Sequence, residues 1–154
     1  MKARATILAL AFCLVGAGVC FGADAFLGTW KLNEAKSKLS PGTPKNSTVV
    51  YEAAGDSVKV TIDGSDADGK PTHNEWTGKY DGKDYPVKGD PLGDMRSYTK
   101  VDANTLTFVG KQGDKVIFTG KVVVSADGKS RTVIAQASDA QGHNFSTTSV
   151  YDKQ

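Results

Sequence analysis

Beyond its first two dozen residues this sequence has no cysteine, the two it contains being Cys13 and Cys20. The body of the chain therefore forms no disulfide and offers no thiol nucleophile, and its stability has to come from packing. Histidine is nearly as scarce, with only His73 and His143. Two histidines without cysteine fall short of a zinc set, and each reads as a surface or turn residue. There is no glycine-rich phosphate loop and no nucleophile elbow, and although Ser, His and Asp all occur, no motif fixes a base beside a hydroxyl. No catalytic residue, cofactor or metal site is expected, and the reading is of a protein that is not an enzyme.

Long apolar runs are absent apart from one, from Ala5 to Phe21, which carries no charge. Lys2 and Arg4 precede it, and the small residues Gly22 and Ala23 follow it before Asp24. That order is a charged start, an apolar centre and a cleavage region, the pattern of a secretory signal. At about 17 residues the run lies at the lower limit for crossing a bilayer. Cleavage after Gly22 places Cys20 and Gly22 at the small-residue positions, and cleavage after Ala25 uses Ala23 and Ala25. Val19 before Cys20 and Phe12 before Cys13 stand where a lipoprotein signal needs a small residue, which argues against lipidation. The expectation is a signal peptide at 1–22 and a single domain at 23–154, exported to the periplasm or the medium and not held in a membrane after cleavage. Losing Lys2 and Arg4 takes the basic count from 19 to 17, level with the 17 acidic residues. Lysines and aspartates are interspersed, so no basic stripe is offered to nucleic acid or to an acidic membrane surface.

What the chain has in quantity is turn punctuation between runs rich in Val, Thr, Tyr and Phe. Gly55-Asp56, Asp68-Gly69-Lys70, Asp81-Gly82-Lys83, Gly113-Asp114, Asp127-Gly128-Lys129 and Gln141-Gly142 each read as a hairpin, because Gly supplies positive φ and Asp tolerates the left-handed region. Between them the period is two, most cleanly at Val58, Val60 and Ile62 alternating with Lys59, Thr61 and Asp63. About ten short strands result, including a short one at Asp84–Val87. Tight turns make them sequential antiparallel neighbours. So many strands in one small domain have to close to avoid exposed edges, which predicts an all-β, up-and-down meander forming a barrel of about 8–10 strands. Asn33 can cap a turn or two of helix through Lys38, ended by Ser40-Pro41-Gly42, over an open end of the barrel.

The opening Phe26-Leu27-Gly28-Thr29-Trp30-Lys31-Leu32 resembles the first strand of fatty-acid-binding proteins, and Gly28-Thr29-Trp30 matches the short lipocalin signature. The closing Val150-Tyr151-Asp152-Lys153 is similar to the last strand of the same binding proteins. More closely, the chain looks like a group of small exported bacterial proteins of unknown function, with Tyr85-Pro86-Val87-Lys88-Gly89-Asp90-Pro91 as a typical middle segment. The resemblance implies a lipocalin-like barrel. It departs from the pattern where the Asn33–Asn46 segment is too short for a two-helix lid, and where Ser149 stands in place of an arginine that helps hold a ligand carboxylate. Lipocalins lay an arginine across the signature tryptophan, which implies a cation–π pair between Arg131 and Trp30.

Strand alternation puts Arg96 with Tyr98, Trp76 with Tyr80, and Phe145 with Ser149 and Tyr151, each set on one face. If those faces point inward, aromatic walls with a cation and hydroxyls suit an apolar ligand with one polar end. The other reading is a small barrel filled by its own side chains. The candidate ligand-binding residues are Trp76, Arg96, Tyr98 and Tyr151, for a small hydrophobic or amphipathic molecule. The alternative is a protein partner, such as an envelope or secreted enzyme that the barrel inhibits through the Tyr85–Asp94 loop, stiffened by Pro86, Gly89, Pro91 and Gly93. Asp63–Glu75 matches three positions of a calcium loop, Asp66, Asp68 and Glu75. Its first ligand position is Gly64, however, so a hairpin with solvated aspartates is expected.

Overall fold

The computed structural model describes residues 24–138 and 144–154. The expected signal peptide with Cys13 and Cys20, the Gln141-Gly142 turn and His143 lie outside the described residues. Ten antiparallel strands follow one another: β1 (Gly28–Leu32), β2 (Lys45–Ala54), β3 (Ser57–Ser65), β4 (Pro71–Gly78), β5 (Tyr85–Lys88), β6 (Met95–Lys100), β7 (Thr105–Gln112), β8 (Lys115–Val124), β9 (Ser130–Ser138) and β10 (Asn144–Lys153). Each pairs with its neighbours in sequence, and β1 pairs with both β2 and β10, so the meander closes into a barrel. Closure removes the two free edges that an open sheet would leave.

β3 shows how the pattern becomes a wall. Val60 and Ile62 are buried inside, while Lys59 reaches Glu75 of β4 at 2.6 Å and Asp63 meets His73 Nδ1 at 2.6 Å on the outside. Gly55, Gly69, Gly113 and Gly128 take positive φ at four tight hairpins. At the β3–β4 turn the Asp66 carboxylate accepts the backbone N–H groups of Asp68 and Lys70, each at 2.9 Å, so this stretch is a hairpin shaped by its own aspartate.

Asp81-Gly82-Lys83 is not the tight hairpin its composition suggests. β4 and β5 share only the pairs Glu75↔Lys88 and Trp76↔Val87. The chain between them crosses to β6 instead, where the Gly82 N–H donates to the Tyr98 carbonyl at 2.9 Å and the Lys100 N–H to the Tyr80 carbonyl at 3.2 Å. The segment after β1 forms a single 3-10 turn, Glu34–Lys36, with Asn33 Oδ1 accepting the Lys36 N–H at 3.2 Å. Asn33 Nδ2 donates to Asp152 of β10 at 2.6 Å, which ties the turn to the wall.

One end of the barrel is solid. Trp30, Trp76, Phe26, Leu106 and Val60 are fully buried there. Both indoles are satisfied: Trp30 Nε1 donates to the Phe26 carbonyl and Trp76 Nε1 to the Arg96 carbonyl, each at 2.9 Å. Phe26 precedes β1 and meets Tyr80 edge to face at 5.9 Å.

The β7–β8 hairpin carries a packing device of its own. A bulge at Gly110/Lys111 shifts the register by one residue and sets Phe108 opposite Gly120 and Phe118 opposite Gly110. Each ring lies over the opposing glycine, where a β-carbon would collide with it. Aromatic cover of a strand glycine restores the packing that the missing side chain gives up. Gly110→Ala is therefore expected to cost about 1–3 kcal/mol through overpacking, measured as a lower urea midpoint at unchanged slope. Unchanged stability would mean that the Phe118 ring does not sit there.

Candidate functional site

The other end of the barrel is open. Above the packed tryptophans lies a cavity of about 500 Å³. Val49, Ile62, Phe108, Phe118 and Val122 form its apolar wall, and the small side chains of Ala135, Ala137 and Thr147 leave the room in it. Pro41–Pro44 and Asp90–Leu92 stand at its rim. A second hollow of about 520 Å³ adjoins it where β8 parts from the paired strands β9 and β10. The β8–β9 ladder stops at Phe118–Ala137, which leaves Lys115–Ile117 unpaired with β9.

Of the four residues selected from sequence, Arg96, Tyr98 and Tyr151 stand on the cavity lining, as do Phe145 and Ser149. Trp76 shares their inward direction but lies in the packed end, between Tyr85 at 5.8 Å and Tyr98 at 4.8 Å. Alternation gives a residue's face but not its height along the barrel, so strand pattern alone does not separate Trp76 from the other three.

Arg96 is held on all sides. Its Nη2 pairs with the Asp90 carboxylate, its Nη1 lies 3.5 Å from Asn74 Oδ1, and its guanidinium rests 5.7 Å from the Phe118 ring centre. Burial opposes the charge, but Tyr98 and Asp90 outweigh it and raise the Arg96 pKa above the ordinary arginine value. Burial also raises the phenols of the lining. Tyr98 is pushed up by burial and by Tyr51 beside it, against Arg96. Tyr151 is pushed up to about 12 by burial, against Arg131. Its hydroxyl donates to the Asn46 carbonyl at 3.0 Å.

Arg131 lies at the floor of the cavity, and its guanidinium makes the expected contact with Trp30 at 5.1 Å. It also lies 5.0 Å from Tyr51 and 4.7 Å from Tyr151. Its place in the cavity lining was missed in the sequence. No sequence signal fixes it: the folded chain sets Arg131 opposite Tyr151, whereas counting outward from Gln141-Gly142 puts it opposite Asp152.

The fold and site define a closed ten-stranded β-barrel, packed at one end and hollow at the other. No family model matches the sequence, and no curated protein is similar to it. Among solved structures, EF1p2_mFAP2b bound to DFHBI is similar over 86% of this chain and 96% of its own, with 12% identity and a TM-score of 0.47. A redesigned β-barrel is similar over 88% of this chain and 97% of its own, with 12% identity and a TM-score of 0.45.

Proposed function

We propose that this protein is an exported, non-enzymatic barrel that takes a small hydrophobic or amphipathic molecule into its lumen. The observation that carries this reading is the cavity of about 500 Å³ above a packed floor, within the range of small-molecule sites. A barrel of this size either fills itself with side chains or keeps room for one small ligand. Here the two ends differ. The apolar wall suits an apolar body, and Tyr98, Ser149 and the arginines offer polar contacts to one end of it. The leader pattern of residues 1–22 supports export, and the lipocalin-like and fatty-acid-binding-protein-like strands at the two ends of the domain agree with carriage. Protein contact through Tyr85–Asp94 has less behind it. Tyr85–Lys88 is a strand, Asp90 turns inward to Arg96, and Pro91 and Leu92, exposed like Gly89 and Asp94 on either side of them, stand at the rim of the cavity.

A lipophilic, environment-sensitive dye titrated into micromolar protein is expected to bind saturably at one site. Ala135→Phe, which projects a ring into the cavity, is expected to weaken that binding roughly tenfold, a loss of about 1.4 kcal/mol, with an unchanged far-UV spectrum. Absence of saturable binding would remove the proposal.

A further inference from the structure

Two arginines reach the cavity, and they differ in one respect. Arg96 has a carboxylate partner, Asp90, and the pair is electrically closed. Arg131 is 2% exposed, yet its Nε and Nη1 find no hydrogen-bond acceptor, and no carboxylate of the described residues lies within ion-pair distance. Its neighbours are the rings of Trp30, Tyr51 and Tyr151, whose faces attract a cation but accept no full hydrogen bond. Lys153 adds a second cation, 5.1 Å from the Trp30 ring. A buried charge without a counter-ion is costly, and proteins pair such groups or bind something that does. Asp90 is already committed to Arg96.

We infer that Arg131 is the anchor for a lipophilic anion, a molecule with an apolar body along the cavity wall and one anionic oxygen head at the floor. This rests on the reading that the lumen takes a ligand, and it adds the head-group chemistry and the residue that recognises it. A charge-assisted bond from a desolvated guanidinium to an oxyanion is among the stronger polar contacts in proteins. A neutral head of the same size leaves the cation uncompensated. The site lies on β9, across the ladder from Tyr151, and not at Ser149 of β10, where the family resemblance puts its arginine.

The test is a matched titration with decanoate, decyl sulfate and decan-1-ol below their aggregation limits, against the wild type and Arg131→Gln. At least one anion is expected to bind the wild type about tenfold or more tighter than the alcohol, as charge-assisted bonding requires. The two anions together show whether a carboxylate or a sulfate head is preferred. In Arg131→Gln the preference is expected to vanish, with alcohol affinity little changed. Anions binding no tighter than the alcohol would overturn the inference and leave the lumen reading intact. A preference that survives in folded Arg131→Gln would overturn the assignment to this residue. If none of the three binds, both readings fall. Should Arg131→Gln not fold, the Arg131 Nε–H resonance of the wild type decides. It is expected to shift with the preferred anion and not with decan-1-ol, and an unmoved signal would overturn the assignment.

Discussion

Replacing Asp90 with alanine is expected to destabilise the barrel by about 3–5 kcal/mol, because it leaves a buried guanidinium without its counter-ion. The side chains of Arg96 and Asp90 are 6% and 7% exposed, so water does little to take over the lost role. The carboxylate also works locally: its Oδ1 accepts the Leu92 N–H at 3.0 Å and shapes the turn after β5. Asn74, 3.5 Å from Nη1, is neutral and does not replace the charge. The double variant Asp90→Leu with Arg96→Met is expected to recover most of the loss, since a buried pair replaced by apolar side chains of similar volume is often neutral. Urea unfolding of the wild type, the single variant and the double variant separates the terms. A cost for Asp90→Ala below about 1 kcal/mol would place the pair with exposed ion pairs, which contribute no more than that.

The same ion pair marks where the sequence stopped being legible. Period and turns carry the strands: the period-two run Val58, Val60, Ile62 of β3 faces inward, and tight turns at Gly55, Gly69, Gly113 and Gly128 join neighbouring strands in order. Closure follows from strand number and tight turns. β5 was legible only in outline, because four residues joined by two pairs to each neighbour leave almost no pattern. The Arg96–Asp90 contact spans a turn, where no periodicity acts. The bulge at Gly110/Lys111 adds one residue to the count around the Gly113 turn, so counting outward from that turn puts Thr119, and not Gly120, opposite Phe108. Height was the other gap. Trp76 and Tyr98 both face inward, yet one is packed beside Val60 and the other borders the hollow. Their rings touch, 4.8 Å centre to centre, and the packed end is filled in part by Phe26, which enters from outside any strand, held by its N–H to Asp24 Oδ1 at 3.3 Å. Only the folded chain shows how far up the filling reaches.

Above pH 10 the barrel is expected to lose stability steeply, with its buried tyrosines still protonated until it unfolds. Five tyrosines are present. Four of them have phenols raised mainly by burial, the surface Tyr85 and three inside the barrel, Tyr80, Tyr98 and Tyr151, with Tyr151 raised to about 12. Among the three inside the barrel, Tyr51 adds to the rise at each, and Asp24 and Tyr98 add to it at Tyr80; Arg131 opposes it at Tyr80 and Tyr151, and Arg96 opposes it at Tyr98. A phenol whose pKa is higher in the folded chain holds its proton where the unfolded chain has released it. The native state then binds more protons, and stability falls as pH rises. The contribution is complete below the unfolded value near 10, and for Tyr151 it is lost between about 10 and about 12. Each buried group gives a slope of about 1.4 kcal/mol per pH unit, so the three inside the barrel acting together give about 4 kcal/mol per unit. The exposed pairs Lys59–Glu75 and Lys79–Asp56 act in the same direction, since hydrogen bonds to the partner carboxylates raise both lysines. Urea midpoints at pH 9, 10, 10.5 and 11 measure the slope, and absorbance at 295 nm counts the phenolates in the folded protein. Full ionisation of all five tyrosines near pH 10 with the barrel intact would contradict the burial of these three. With them protonated, an abrupt phenolate step should coincide with unfolding.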